Sequence, residues 1–229
     1  MKVTDREYAL ELDQNDPLAG YRSKFVITDP NLCYLDGNSL GRLPHATVKA
    51  VSDFLSQEWG NEVVTGWSHW IDEAQVAGDL LGRAVLGAGP GQVLVCDTTS
   101  VNFYQLCVAA IKARPGRKTV ITDAANFPTD RYILKGIAEQ FGLKLIIIDN
   151  EDPAIAENEL ITAELLEKYM SEDVAMVTFE VIQYRSGART DIQSVTDLAR
   201  SYGALVVWDA SHAAGAIELN FDACGVDLA

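Results

Sequence analysis

The run Leu205-Val206-Val207-Trp208-Asp209-Ala210-Ser211-His212 decides the fold. Four consecutive apolar residues end on a carboxylate, and an imidazole follows three residues later. An unbroken apolar run of this length, rather than an alternating one, marks a strand covered on both faces. Sheets built from such strands gather their ligands at the C-terminal strand tips. Asp209 is therefore expected at a strand tip facing a crevice, with His212 beside it.

Upstream, short β-rich segments at 93–96, 119–122, 145–148 and 174–179 alternate with amphipathic stretches near 100–113, 129–141, 160–169 and 192–202. This alternation predicts βαβ units, a mainly parallel sheet and an α/β architecture. The N-terminal part reads differently. Thr4-Asp5-Arg6-Glu7 is a capping-box pattern for a short helix ending near Pro17. Cys33-Tyr34-Leu35 predicts a short strand that runs into the turn-rich Asp36-Gly37-Asn38-Ser39-Leu40-Gly41. Pro44 starts a helix with Val48, Val51 and Leu55 on one face. A longer helix is expected over 68–86, before the break Gly87-Ala88-Gly89-Pro90-Gly91. The acidic stretch 150–158 reads as a surface loop.

The 229 residues suit one large domain, or one domain with a small appendage. A net charge of −15 argues against nucleic-acid partners, which require basic surface. No apolar stretch approaches the ~18 residues that cross a bilayer. The N-terminus carries Asp5, Glu7, Glu11 and Asp13 instead of a basic, apolar leader, so a cytoplasmic location without membrane contact is expected. The four cysteines are widely spaced and form no zinc or disulfide pattern, and Cys96 and Cys107 are expected as buried thiols.

Several segments carry candidate chemistry. Asp97-Thr98-Thr99-Ser100-Val101-Asn102 precedes an apolar helix, so its hydroxyls and free N–H groups suit a phosphate, although a plain helix cap is the commoner use. Phe127, before Pro128-Thr129-Asp130, offers a ring that can stack on a planar ligand or simply join the core. Asp209 either caps the next turn or holds the protonated nitrogen of a pyridine ring, as pyridoxal phosphate chemistry requires. His212 then orients that aspartate or approaches the ligand's phenolic oxygen. Arg185, in Tyr184-Arg185-Ser186-Gly187, suits a carboxylate or phosphate, against the commoner exposed arginine. Trp59, Trp67, His69 and Trp70 are read as packing rather than as a pocket wall.

Together these motifs resemble the kynureninases. The resemblance rests on Tyr34-Leu35-Asp36-Gly37-Asn38-Ser39-Leu40-Gly41, Asp97-Thr98-Thr99-Ser100-Val101-Asn102, Asn126-Phe127-Pro128-Thr129-Asp130 and Trp208-Asp209-Ala210-Ser211-His212-Ala213-Ala214-Gly215. It implies a three-layer large domain of the pyridoxal-phosphate transferase type with a mainly parallel sheet, cut short at its C-terminus, plus an N-terminal helical segment. Residues 1–45 would be the N-terminal segment of a small domain with its connecting loop. Residues 46–229 would be an incomplete cofactor-binding large domain. The implied cofactor is pyridoxal 5'-phosphate, and the implied partners are a small amino-acid substrate and a second copy in a homodimer. By resemblance Thr99 and Ser100 would hold the phosphate, Phe127 would stack on the ring, and Thr129 and Asp130 would lie near its substituents. Asp209 would pair with the ring nitrogen, with His212 alongside. The implied reaction hydrolyses kynurenine or 3-hydroxykynurenine to an anthranilate and alanine, in tryptophan catabolism towards NAD.

Two departures accompany the resemblance. Glu180 stands where relatives usually carry a small hydroxyl residue. The family's Schiff-base lysine follows the strand-tip aspartate, whereas the last lysine here is Lys168, so the 229 residues alone are expected to be inactive. The alternatives are a cysteine desulfurase or class V aminotransferase, against which Asp36-Gly37-Asn38-Ser39 argues, and a non-catalytic paralogue.

Overall fold

The computed structural model describes residues 2–229, which form two compact units divided at Ile71, inside a helix. In the first unit, α1 spans Arg6–Gln14. Its N-cap is Asp5, whose carboxylate accepts the Lys2 N–H at 2.8 Å, so the capping box expected from Thr4 does not form. Residues 33–35 form no strand. The Tyr34 hydroxyl instead sits 3.0 Å from the Asp36 carbonyl and 2.6 Å from that of Leu40, winding the turn around the ring. Helix α2 (His45–Asp53) follows Pro44, its N-cap, and a π-helical turn and the short α3 (Gly60–Glu62) come next. Trp70 packs on Phe54 with ring centroids 5.4 Å apart, whereas Trp59 and Trp67 are exposed.

Helix α4 (Trp67–Leu81) leads into the second unit. The expected strand at 93–96 is not one, because α4 lies against its backbone. Gly78 lets the backbone of Val93 approach so closely that a Cβ there would meet the Val93 carbonyl oxygen at 2.0 Å. In this position the Val93 carbonyl accepts from Gln75 Nε2 at 3.0 Å, and the Val95 N–H donates to the Ala74 carbonyl at 3.2 Å. Helix α4 thus takes hydrogen-bonding groups that a neighbouring strand would use. Cys96, expected to be buried, is exposed, while Cys107 is fully buried and its thiol is pushed up by desolvation.

The remainder is a regular α/β sandwich. In chain order it comprises α5 (Thr99–Lys112), β1 (Thr119–Asp123), α6 (Pro128–Phe141), β2 (Lys144–Ile148), α7 (Ala163–Glu167), β3 (Val174–Glu180), α8 (Ile192–Ser201) and β4 (Leu205–Asp209). All strand pairs are parallel, and the sheet order is β2-β1-β3-β4. Every residue of β1 and β3 is buried, as expected for strands covered on both faces. Residues of α5 and α6 pack with Val120, Met176 and Val207. Residues of α7 and α8 pack with Ile121, Val177, Phe179, Val206 and Trp208. Side chains alternate across each strand, so these are the two opposite faces. Trp208 is 1% exposed, and its indole N–H donates to Thr196 Oγ1 at 3.1 Å, so its burial leaves no donor unpaired.

The N-terminal edge of the sheet is stapled. The Asp173 carboxylate accepts from the Lys118 N–H at 3.0 Å and from the Thr119 hydroxyl at 2.7 Å. Arg117 donates to the carbonyls of Val174 and Tyr202 at 2.7 and 2.8 Å, tying the starts of β1, β3 and β4 together. Pro128 in the first turn of α6 and Gly142, with φ of 63° at its end, set the limits of that helix and leave Phe127 as its N-cap.

Candidate active site

In the sheet order, the chain leaves β1 towards β2 on one side and leaves β3 towards β4 on the other. Loops that diverge in this way open a crevice at the strand tips. Register then decides which side chains meet there. Glu180 is the partner of Asp209, and paired residues on parallel strands project from the same face. The loop after β1 brings Asp130, in the first turn of α6, onto Asp209.

The resulting group is unusually acidic. Asp130 is 2% exposed and lies within electrostatic reach of Asp209. Burial, and then the charge of Asp209, push Asp130 up to about 8. Glu180 is fully buried and is also pushed up to about 8, first by desolvation and then by Asp209. Its Oε2 accepts the Tyr184 N–H at 3.4 Å, while Oε1 has no hydrogen-bond partner. Asp209 itself is half-buried, and its Oδ1 accepts the Ser211 N–H at 2.7 Å. It therefore caps the turn, as the plainer sequence reading expected, and also faces Asp130.

A second buried acid, Asp123, ends β1. Its Oδ2 accepts from Asn150 Nδ2 at 2.8 Å and Gln183 Nε2 at 3.1 Å. Burial pushes Asp123 up to about 6, and these two donors hold it below the level that burial alone would set. Asn150 also accepts from the Ala125 N–H at 2.9 Å and donates to the Glu159 carbonyl at 2.6 Å. One buried amide thereby joins the loops that follow β1 and β2.

Three rings stand together beside the acids. Phe127 meets Tyr184 edge-on with centroids 5.1 Å apart, and His212 lies 6.3 Å from each. Phe127 remains 38% exposed, so its ring is available to a ligand. Arg185 is engaged by Glu151 and by Glu159, the latter at 2.8 Å, so its ion pairs are made within the chain.

The structure thus brings together Phe127, Asp130, Asp209 and His212. Thr129 sits half-buried as the second residue of α6. Thr99 and Ser100 occupy the exposed first turn of α5 and take no part in the ring and carboxyl contacts above. The cap there is Thr98, which accepts the Val101 N–H at 3.4 Å. Sequence reasoning passed over Asp123, Asn150, Gln183 and Tyr184 as site residues. The tip argument that singled out Asp209 applies equally to Asp123 and Glu180, which end β1 and β3. A groove of ≈ 760 Å³ lined by Val93, Cys96, Leu106, Phe221 and Leu228 includes none of these acids.

The chain is 34% identical to a kynureninase of Pseudomonas fluorescens, over 99% of this chain and 53% of that protein. It is also 34% identical to a kynureninase of Deinococcus radiodurans, over 95% of this chain and 51% of that one. The chain spans about half the length of the curated relatives it matches. Among solved structures, the cysteine desulfurase CsdA of Escherichia coli superposes with a TM-score of 0.65 at 18% identity, covering 91% of this chain and 52% of that one. The cystine C–S lyase C-DES, bound to its product cysteine persulfide, gives 0.68 at 16% identity, covering 86% and 52%. These two likenesses show the shared fold. The family Aminotransferase class-V matches residues 33–229, most of the chain and the whole parallel sheet. The chain belongs to the class-V aminotransferase family.

Proposed function

We propose that these residues form the cofactor-binding part of a kynureninase-like hydrolase that uses pyridoxal 5'-phosphate. The observation that carries this reading is the Asp130–Asp209 carboxyl pair at a strand tip beside the partly exposed Phe127 ring. The residues fit the cofactor chemically. The cluster is rich in acid, and Asp130 Oδ2 is buried without a partner, so a cationic pyridine N–H has an acceptor to meet. Asp209 would hold the proton on the ring nitrogen, Asp130 would fix the carboxylate of Asp209, Phe127 would cover one ring face, and His212 would stand beside it. Thr99, Ser100 and the first-turn N–H groups of α5 would take the phosphate, with Thr129 a further contact. When bound, the cofactor supplies an electron sink for a substrate carbanion.

The substrate in this reading is L-kynurenine or 3-hydroxykynurenine, cleaved by water to an anthranilate and L-alanine. The two curated relatives support that choice by name. The proposed setting is a cytoplasmic homodimer in tryptophan catabolism and NAD biosynthesis; no helix among the described residues is long and apolar enough to cross a membrane. No lysine follows Lys168, so these 229 residues are expected to bind the cofactor without a borohydride-reducible lysine linkage and without turnover.

The test is a pyridoxal phosphate titration of the chain and of Asp209→Asn, followed by absorbance. Removing one partner of a buried charge pair costs about 3–5 kcal/mol, and Asp209 is half-buried, so roughly hundredfold weaker binding is expected. Equal affinities would refute the role of Asp209. For the full-length protein, anthranilate release from kynurenine is expected; sulfur release from cysteine instead would turn the reading towards a desulfurase.

A further inference from the structure

We infer that Glu180 is a neutral carboxylic acid at neutral pH and acts as a positioning residue for Asp209. The inference deepens the proposed site and rests on the strand-tip cluster being that site.

The argument begins with placement. Glu180 and Asp209 are register partners on adjacent parallel strands, and their side chains share a sheet face. Glu180 is 0% exposed, so water cannot screen a charge on it. The groups acting on it come from every element around it. Asp123 faces it from β1, Asp130 from α6 and Asp209 from β4, while the loop after β3 supplies the Tyr184 N–H. Beyond these, Cys107 on α5 is within electrostatic reach of Asp130, Arg131 on α6 acts on Asp123, and His212 lies against the Tyr184 ring. Glu180 forms no ion pair with a lysine or arginine among the described residues.

A buried carboxylate facing three other acids, with one long backbone donor, is strongly disfavoured relative to the neutral acid. The oxygens divide accordingly. Oε2 accepts from Tyr184, and the unpartnered Oε1 is free to carry the proton. Asp130 is itself pushed up to about 8, by burial and then by Asp209. Asp209 is the member that reaches the half-exposed strand tip. A neutral Glu180 packs against Asp209 without repelling it, so the Asp209 carboxylate stays where the Ser211 N–H holds it.

Infrared spectroscopy of the full chain labelled with ¹³C-glutamate tests this directly. A protonated glutamic acid carbonyl band is expected at pH 7, because the exposed glutamates are ionised there. The band should disappear in Glu180→Gln and titrate away in the wild type with a midpoint near 8. Glu180→Ala, which removes the support of Asp209, should bind pyridoxal phosphate more weakly at pH 7 than Glu180→Gln, whose amide mimics a neutral acid. Should Glu180→Gln not fold, the titration of the wild-type band decides alone. Absence of any protonated glutamate at pH 6 overturns the inference. A protonated Glu180 in a chain that fails to bind pyridoxal phosphate supports the inference and refutes the proposed function; an ionised Glu180 with normal binding does the reverse.

Discussion

Replacing Asn150 by alanine should damage the second unit more than its position in an acidic loop suggests. The side chain is 1% exposed and makes three hydrogen bonds: to Asp123 at 2.8 Å, to the Glu159 carbonyl at 2.6 Å and from the Ala125 N–H at 2.9 Å. Truncation leaves a buried N–H and a carbonyl without partners, and Asp123 with Gln183 as its one remaining side-chain donor at 3.1 Å. Each buried group left unpaired costs about 1–3 kcal/mol, so a loss of about 3–5 kcal/mol is expected. That is a large share of the ~5–15 kcal/mol that holds a typical domain folded. Urea denaturation at pH 7, followed by the fluorescence of the buried Trp208, measures it. Asn150→Asp adds a pH signature. Asp123 is raised from 3.8 to about 6, so between those values the native chain keeps a proton that the unfolded chain has released. Stability therefore falls as pH rises through that window, and a second carboxylate beside Asp123 should steepen the fall. A loss under about 1 kcal/mol in Asn150→Ala would mean that the amide is no structural clamp and would refute the reasoning.

Other expectations follow from the same geometry. Phe127→Ala should weaken pyridoxal phosphate binding by roughly threefold to tenfold, the worth of ~0.5–1.5 kcal/mol of ring contact, with little change in melting temperature because the ring is already 38% exposed; a titration and a thermal melt check both parts. Trp208→Ala should cost about 3–5 kcal/mol in urea denaturation, since the side chain is 1% exposed and its N–H pairs with Thr196. The whole chain should lose stability from pH 5 to pH 9. Asp130 and Glu180 hold protons in the native state up to about 8 that the unfolded chain releases near 4, so the native state binds more protons across that window and the loss is complete above 8. Denaturation midpoints that rise steadily with pH would contradict the burial of these acids.

The sheet was legible in the sequence because its strands are short, apolar and separated by amphipathic stretches of helical length. Segments 119–122, 145–148, 174–179 and 205–208 all became strands, each a residue longer. Segment 93–96 has the same composition and failed, because Gly78 brings α4 onto its backbone. No local pattern announces such a long-range approach. Helix 160–169 shrank to Ala163–Glu167, because Thr162 caps it by accepting the Leu165 N–H and so sets its start. Among the site candidates, Phe127, Asp130, Asp209 and His212 lie on loops at strand tips, and that common position made them readable together. Asn150 and Gln183 belong to the same edge, but their use depends on hydrogen bonds between loops, and an amide beside an acidic stretch carries no sign of burial. Glu180 stood out as a departure in type; its full enclosure became visible only with the β3–β4 register.

The staple at the N-terminal edge has a consequence for the order of assembly. Thr119 and Asp173 are 54 residues apart, and β2 and its flanking helices lie within the loop that they close. The central β1–β3 pairing must therefore await a long excursion of chain, while β1 with β2 and β3 with β4 need shorter ones. Two half-sheets, each with one raw apolar edge, are the natural early species, and their joining is the slow step. A chain weakened at Asp173 or Arg117 should then gather as paired but unjoined halves, prone to stick to one another while the finished strand tips have yet to exist.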